Sequence, residues 1–122
     1  MKYLMLIAHG SRKPSANQEI EQLAGRIREL DAGAYDGVEI AFLEIAEPSI
    51  HEGISRCIEQ GAEEIVVVPY FLASGNHVSR DIPDELECAR AGSPGVRIRQ
   101  SPYLGASDAM AQLVLDCSQA PA

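Results

Sequence analysis

Apolar residues along the chain fall into two alternating patterns. Four short segments, at residues 3–8, 38–43, 65–68 and 96–99, predict β-strands, and the third is β-branched throughout. After the strands, apolar residues recur at intervals of three and four positions, which is the spacing of one face of a helix. The pattern therefore predicts that strand and helix alternate four times.

Polar residues mark where the predicted helices begin. Ser15 and Gln18 fit a capping box at the start of the first helix. A loop over residues 70–83 is expected to lead to a third helix that ends near residue 90. Ser107 is predicted to cap the last helix, whose inward positions would be Met110, Leu113, Val114 and Cys117.

This alternation indicates the α/β class, with a four-stranded parallel sheet covered by helices on both faces. Right-handed crossovers leave few topologies, and the commonest start for such a chain gives the strand order 2-1-3-4. The 122 residues fit a single domain, 1–122, without an internal linker or repeat.

The predicted topology brings three polar residues to one edge of the sheet. Ligands of open parallel sheets bind at the carboxyl ends of the strands, where the strand order reverses. The first strand is followed by His9, the second by Glu44, and the third leads through its loop to His77. We therefore expect two imidazoles and one carboxylate to face the same crevice.

Such a group of side chains is suited to metal or proton chemistry. Neutral imidazole is a common ligand of divalent transition metals and accepts protons near neutral pH. A neighbouring carboxylate can orient an imidazole or transfer its protons. His9, His77 and Glu44 are the candidate catalytic residues, with His9 and His77 as metal ligands. Alternatively, both histidines are loop residues bonded to backbone and Glu44 is a solvated strand end; His51 is expected at the surface.

Basic residues near both histidines predict an anionic substrate. The backbone amides of residues 10–12 and 74–76 could add anion contacts at helix entrances. Scattered solvated charges are the alternative interpretation. The candidate substrate-binding residues are Ser11, Arg12, Lys13, Ser74, Asn76 and Arg80.

Charge, hydropathy and cysteine spacing exclude several other classes of protein. A net charge of -8 without a long basic run argues against nucleic acid as a partner. No apolar segment approaches the roughly 20 residues that span a bilayer, and the first run lacks a signal-peptide cleavage site, so no membrane association is expected. Phosphate-loop, dinucleotide-binding and serine-hydrolase motifs are absent from the sequence. Cys57, Cys88 and Cys117 are predicted to be buried, reduced thiols of a cytoplasmic protein.

Three sequence segments together resemble the class II chelatases. They are LIAHGSR at residues 6–12, FLEIAEPSI at 42–50 and VVVPYFLASGNHVSRDIP at 66–83. The chain is most similar to the short, single-domain sirohydrochlorin cobaltochelatases and their ferrochelatase relatives. The likeness extends over almost the whole chain and implies the chelatase-like, flavodoxin-like form of the predicted fold.

The resemblance implies insertion of a divalent metal ion, cobalt, iron or nickel, into sirohydrochlorin, a tetrapyrrole with many carboxylates, in cobalamin or siroheme biosynthesis. The two family histidines correspond to His9 and His77, and the family's acidic residue to Glu44. No cofactor is implied besides the metal, which is a substrate. Larger relatives have two similar lobes, so this chain is expected to form a homodimer. It lacks the histidine-rich stretch of some archaeal members.

Two other functions are compatible with parts of the same sequence pattern. A phosphohistidine phosphatase or mutase would need an arginine directly before the histidine, where this chain has Ala8. A non-catalytic metal or tetrapyrrole carrier could use the same residues as a chelatase. Turnover of free metal and metal-free macrocycle separates the carrier from the enzyme.

Overall fold

The computed structural model describes residues 1–121 and contains one four-stranded parallel sheet, in which the second strand of the chain lies at an edge and is followed by the first, the third and the fourth. The predicted α/β class and strand order are confirmed. A π-helical turn, His77–Asp81, precedes the third α-helix, and a short 3-10 turn, Leu104–Ala106, precedes the fourth. The elements are β1 (Lys2–Ala8), α1 (Pro14–Leu30), β2 (Gly37–Phe42), α2 (Ile50–Glu59), β3 (Glu64–Pro69), α3 (Ile82–Gly92), β4 (Arg97–Gln100) and α4 (Ala109–Gln119).

Helices cover both faces of the sheet, which explains why β1 is apolar at successive positions. Met5 and Ile7 point to the face that α2 and α3 cover, where they pack with Ile54 and Leu86. Leu6 and Ala8 point to the opposite face, which is covered by α1. The buried strands thus hold the site-forming edge on a rigid core.

The predicted capping box at Ser15 is wrong. Helix α1 already begins at Pro14, after Lys13, which makes no side-chain capping bond. Proline is favoured at this first position because its backbone angle is preset and the position needs no N–H donor. A capping box is present instead at α2, where Ser49 and Glu52 each accept a hydrogen bond from the other's backbone N–H.

Helix α4 is not packed as the sequence pattern predicted. None of its residues is buried, and the side chains of Leu113 and Val114 are 53% and 61% exposed. The helix follows the last, edge strand of the sheet, and its apolar face meets little of the chain's own core. The expectation of three buried cysteines is also wrong for Cys88 and Cys117, which are exposed, whereas Cys57 is buried.

No helix within residues 1–121 has both the length and the apolar character needed to cross a membrane.

Candidate active site

Backbone pairing beyond the ends of β1 and β2 places Glu44 beside His9. The Leu43 N–H donates to the Ala8 carbonyl at 2.9 Å, and the Glu44 N–H donates to the His9 carbonyl at 3.1 Å. Gly10 has a φ of +101°, and a Cβ atom at this position would lie 1.9 Å from the Glu44 carbonyl oxygen. Only glycine therefore permits this close approach of the two loops.

The structure brings His9, Glu44 and His77 together, as the strand order predicted. One ligand atom from each of the three residues lies within 4.8 Å of the others. The Nε2 atom of His9 is 2.8 Å from Oε1 of Glu44, and the centroids of the two imidazole rings are 4.9 Å apart. Their side chains are 42% (His9), 56% (Glu44) and 42% (His77) exposed, so the cluster is open to solvent.

His77 lies on a π-helical turn and not in the long loop that the sequence suggested. The Ile82 N–H donates to the His77 carbonyl, and helix α3 continues directly from this turn. Val78 is buried, and its carbonyl accepts a hydrogen bond from the Gln100 side chain of β4 at 3.1 Å. These contacts fix the backbone that presents His77. π-helical turns of this kind are frequent at functional sites.

Asp81 is a site residue that the sequence reasoning missed. Its Oδ2 atom lies 2.8 Å from Nδ1 of His77. An acidic residue four positions after a histidine would have suggested this contact, had the segment been predicted as helical. Residues 70–83 have the composition of a loop, in which a spacing of four residues predicts no contact.

The cluster can hold either a proton or a metal ion. His9 Nδ1 is 3.1 Å from the carbonyl oxygen of Gly10, to which an Nδ1–H donates. The Nε2 atom of the same ring faces the Glu44 carboxylate, and two such acceptors at 2.8 Å need a cation between them. Two imidazole nitrogens and one carboxylate suit divalent first-row transition metals. Three ligands on an exposed surface leave coordination positions open.

The predicted substrate-binding residues differ in how far their charges and polar groups are already paired within the protein. Within residues 1–121, Arg12 and Lys13 are exposed and form no ion pair, and Arg80 makes only a long contact of 3.7 Å with Asp81. Ser74 and Asn76 are exposed in the loop before His77.

The backbone amide of Ser11 is not available to an anion. It donates to Oδ1 of Asn17 at 3.0 Å, and the Ser11 hydroxyl oxygen accepts from the Lys13 N–H. The expected anion contact by this amide is therefore wrong. The hydroxyl hydrogen of Ser11 remains able to donate.

A cleft of about 340 Å³ adjoins the cluster on the His9 side, with Tyr70, Phe71 and Leu72 in its wall. A neighbouring cleft of about 540 Å³ shares Tyr70 and Leu72 and is lined by Leu113 and Val114 of α4. The exposed apolar face of α4 is thus continuous with the surface beside His9.

Comparison with known proteins identifies the family. The CbiX family model matches residues 3–119. A sirohydrochlorin cobaltochelatase of Methanopyrus kandleri is 42% identical over 86 residues, which is 70% of this chain and 59% of that protein. A crystal structure of a CbiX protein from Marinobacter aquaeolei VT8 superimposes with a TM-score of 0.83 and 32% identity, covering 98% of this chain and 95% of the other.

A second structural relative is twice as long. The sirohydrochlorin chelatase SirB from Bacillus subtilis subspecies spizizenii, in complex with cobalt, has a TM-score of 0.87 and 30% identity, covering 97% of this chain and 50% of SirB. This chain thus spans about half of the length of SirB and about three-fifths of the length of the Methanopyrus kandleri relative. The match over residues 3–119, together with the shared fold, shows that the chain belongs to the CbiX family.

Proposed function

We propose that this protein is a chelatase that inserts a divalent metal ion into sirohydrochlorin. The observation that supports it most directly is the cluster of His9, Glu44 and His77, whose ligand atoms lie within 4.8 Å of one another at the substrate-binding edge of the sheet. Relatives of the chain are named for this reaction with cobalt and with iron. Cobalt, iron or nickel would suit the same ligands.

The mechanism follows from what metal insertion requires. The incoming ion must lose water ligands, and the macrocycle must release two pyrrole N–H protons as its nitrogens bind the metal. His9 and His77 replace water on the ion, and Glu44, 2.8 Å from His9, takes up the two released protons one after the other and passes each to solvent. An open site holds the metal loosely, so that the ion can transfer to the ring.

The macrocycle would lie in the cleft on the His9 side. The wall formed by Tyr70, Phe71 and Leu72 supplies apolar contact for a flat ring. The unpaired cations Arg12 and Lys13 are suited to carboxylates at the rim of the ring. Exposed pairs of this kind each contribute about 1 kcal/mol or less.

A second copy of the chain would complete the site. SirB has about twice the length of this chain, so a homodimer would supply an equivalent second lobe. The exposed face of α4, with Leu113 and Val114, is an apolar surface that continues towards His9 through Tyr70 and Leu72. A two-fold contact there would bring both copies of the cluster to one cleft. The three free thiols fit a cytoplasmic location.

A turnover experiment tests this function against a carrier role. Metal-free sirohydrochlorin and Co²⁺ or Fe²⁺ are mixed with catalytic amounts of protein, and the absorption change of the macrocycle is followed. A chelatase forms many equivalents of the metal complex per protein. A carrier would bind stoichiometric amounts without accelerating insertion, and that result would overturn the proposal.

A further inference from the structure

The His77 imidazole is held by a carboxylate from its own π-helical turn. Oδ2 of Asp81 lies 2.8 Å from Nδ1 of His77, and the two side chains are 37% and 42% exposed. The other oxygen of Asp81, Oδ1, lies 3.7 Å from Nε of Arg80. Asp81 is not among the three residues that form the ligand cluster. Its position therefore needs a different explanation from that of Glu44.

The geometry of the turn makes this contact possible. In the turn His77–Asp81, the Ile82 N–H bonds the carbonyl of His77, five residues earlier. The wider π-turn keeps side chains four positions apart on nearly the same face. Buried Val78 and its hydrogen bond from Gln100 hold the turn against β4. The carboxylate is thus fixed beside the ring by the backbone.

A carboxylate at Nδ1 determines which nitrogen of the ring is free. Ionised Asp81 only accepts hydrogen bonds, so the Nδ1 atom of His77 must carry the hydrogen. In the neutral imidazole this leaves the lone pair on Nε2. His9 is oriented differently, since its Nδ1 faces the neutral carbonyl of Gly10. The Nδ1 atoms of the two imidazoles therefore face different hydrogen-bond acceptors, and the carboxylate beside His77 is the stronger of the two.

We propose that Asp81 is a positioning residue, which holds His77 as the Nδ1–H tautomer so that Nε2 faces the incoming metal ion. Carboxylate partners of this kind orient metal-binding histidines and strengthen them as ligands. The metal-related half of this inference rests on the proposed function, whereas the tautomer of His77 does not.

The tautomer is measured first, without metal. The chain has three histidines, so long-range ¹H–¹⁵N NMR spectra of wild type and single histidine variants assign each ring. At about pH 8, above the ordinary histidine range, His77 should be the Nδ1–H tautomer in wild type and shift towards Nε2–H in Asp81→Ala. Asp81→Asn keeps an acceptor oxygen without the charge and should retain the wild-type tautomer. A wild-type Nε2–H tautomer, or no change in Asp81→Ala, would overturn the proposal.

Metal binding is measured second, by titrating Co²⁺ into the full-length protein without tetrapyrrole. Asp81→Ala should raise the dissociation constant about 10- to 100-fold, as the loss of a partner that orients a metal-binding histidine does, and Asp81→Asn by less. Asp84→Ala is the matched control, because Asp84 lies one helical turn further along and lines, with His77 and Asp81, a cleft of about 300 Å³, whereas Nδ1 of His77 pairs with Asp81. If Asp84→Ala weakened Co²⁺ binding as much as Asp81→Ala, the cause would be the loss of negative charge near the site, and the positioning role of Asp81 would be overturned. Failure of wild type to bind Co²⁺ would instead contradict the proposed function and, with it, the metal-related half, while the NMR result stands.

Discussion

His9 follows the first strand and His77 follows the third, yet the centroids of their imidazole rings are 4.9 Å apart. The parallel pairing of β1 with β3, in which Ile7 lies opposite Pro69, sets this separation. Both rings stand at the carboxyl edge of a sheet whose core is fully formed beneath them. The site can therefore be changed without loss of the fold.

Replacing either histidine should abolish metal insertion. His9→Ala and His77→Ala each remove a nitrogen ligand, and we expect turnover to fall by more than about 100-fold. Both side chains are 42% exposed, so the free energy of unfolding should change by less than about 1 kcal/mol. Insertion rate and urea unfolding are measured on the same preparations. His51→Ala, at an exposed position of helix α2, is the control. Near-normal turnover in either site variant would remove that histidine from the mechanism.

Glu44→Gln should separate proton transfer from substrate binding. The amide keeps the shape of the side chain but cannot accept a proton as a carboxylate does. We expect the rate constant for insertion to fall by about 10²-fold or more, with little change in the macrocycle concentration that gives half-maximal rate. If the variant turns over like wild type, Glu44 is only a solvated residue near the strand end, and the protons leave by another route.

The convergence of His9, Glu44 and His77 could be predicted because it depends only on the strand order. Buried runs and right-handed crossovers determine that order, and each residue follows the end of its strand. The role of Asp81 could not be predicted in this way. A five-residue π-turn has no hydrophobic period of its own, and the segment containing Gly75 and Pro83 has the composition of a loop.

The orientation of α4 could not be predicted for a different reason. Helical periodicity identifies which face is apolar, but not what covers that face. Leu113 and Val114 have the spacing of core residues and are nevertheless exposed in this chain. Any surface that covers them would lie outside this part of the chain, and the helical period of one segment does not specify it.

Disrupting the apolar face of α4 should therefore produce monomers. Val114→Asp places a charge on this face, where a dimer contact would bury it at a cost of several kcal/mol. Sedimentation at micromolar concentration should give a dimer for wild type and a monomer for the variant. Ala34→Asp, an exposed change in the loop before β2, is the control. A dimer that persists in Val114→Asp would exclude α4 as the interface.

The three thiols should differ in reactivity. Cys57 is fully buried, and burial raises the pKa of its thiol to about 12. A reagent therefore cannot reach the sulfur, and the reactive thiolate form is disfavoured. Cys57 should react with a thiol reagent only after unfolding, whereas Cys88 should react in the native protein. Cys117 lines the cleft beside α4, so its rate should fall as protein concentration favours dimers. Equal reactivity of Cys57 and Cys88 in the native state would contradict this packing.

The raised pKa of Cys57 also affects stability at alkaline pH. Its folded-state pKa is about 12, against an ordinary value of 9.0. Folding favours the protonated thiol. Its contribution to the free energy of unfolding is therefore fully present below about pH 9 and is lost as the pH rises towards 12. Cys57→Ala should lower stability by leaving a cavity but flatten the fall in unfolding free energy over this interval. If the unfolding free energy of Cys57→Ala fell as steeply with pH as that of wild type, the raised pKa of Cys57 would not be the cause of the fall.

Gly10→Ala should damage the site through the backbone alone. The φ of +101° disfavours any side chain, and the new Cβ would lie 1.9 Å from the Glu44 carbonyl, so the loops carrying His9 and Glu44 must separate. We expect a destabilisation of more than about 1 kcal/mol and a loss of insertion rate beyond what the remaining folded fraction explains. Gly25→Ala is the matched control, because no atom lies within 4 Å of its added Cβ and the change favours helix α1 by about 0.5–1 kcal/mol. Unfolding curves and insertion rates of both variants decide the matter: a Gly10→Ala protein with wild-type activity would mean that the close approach of these two loops is not needed for the reaction.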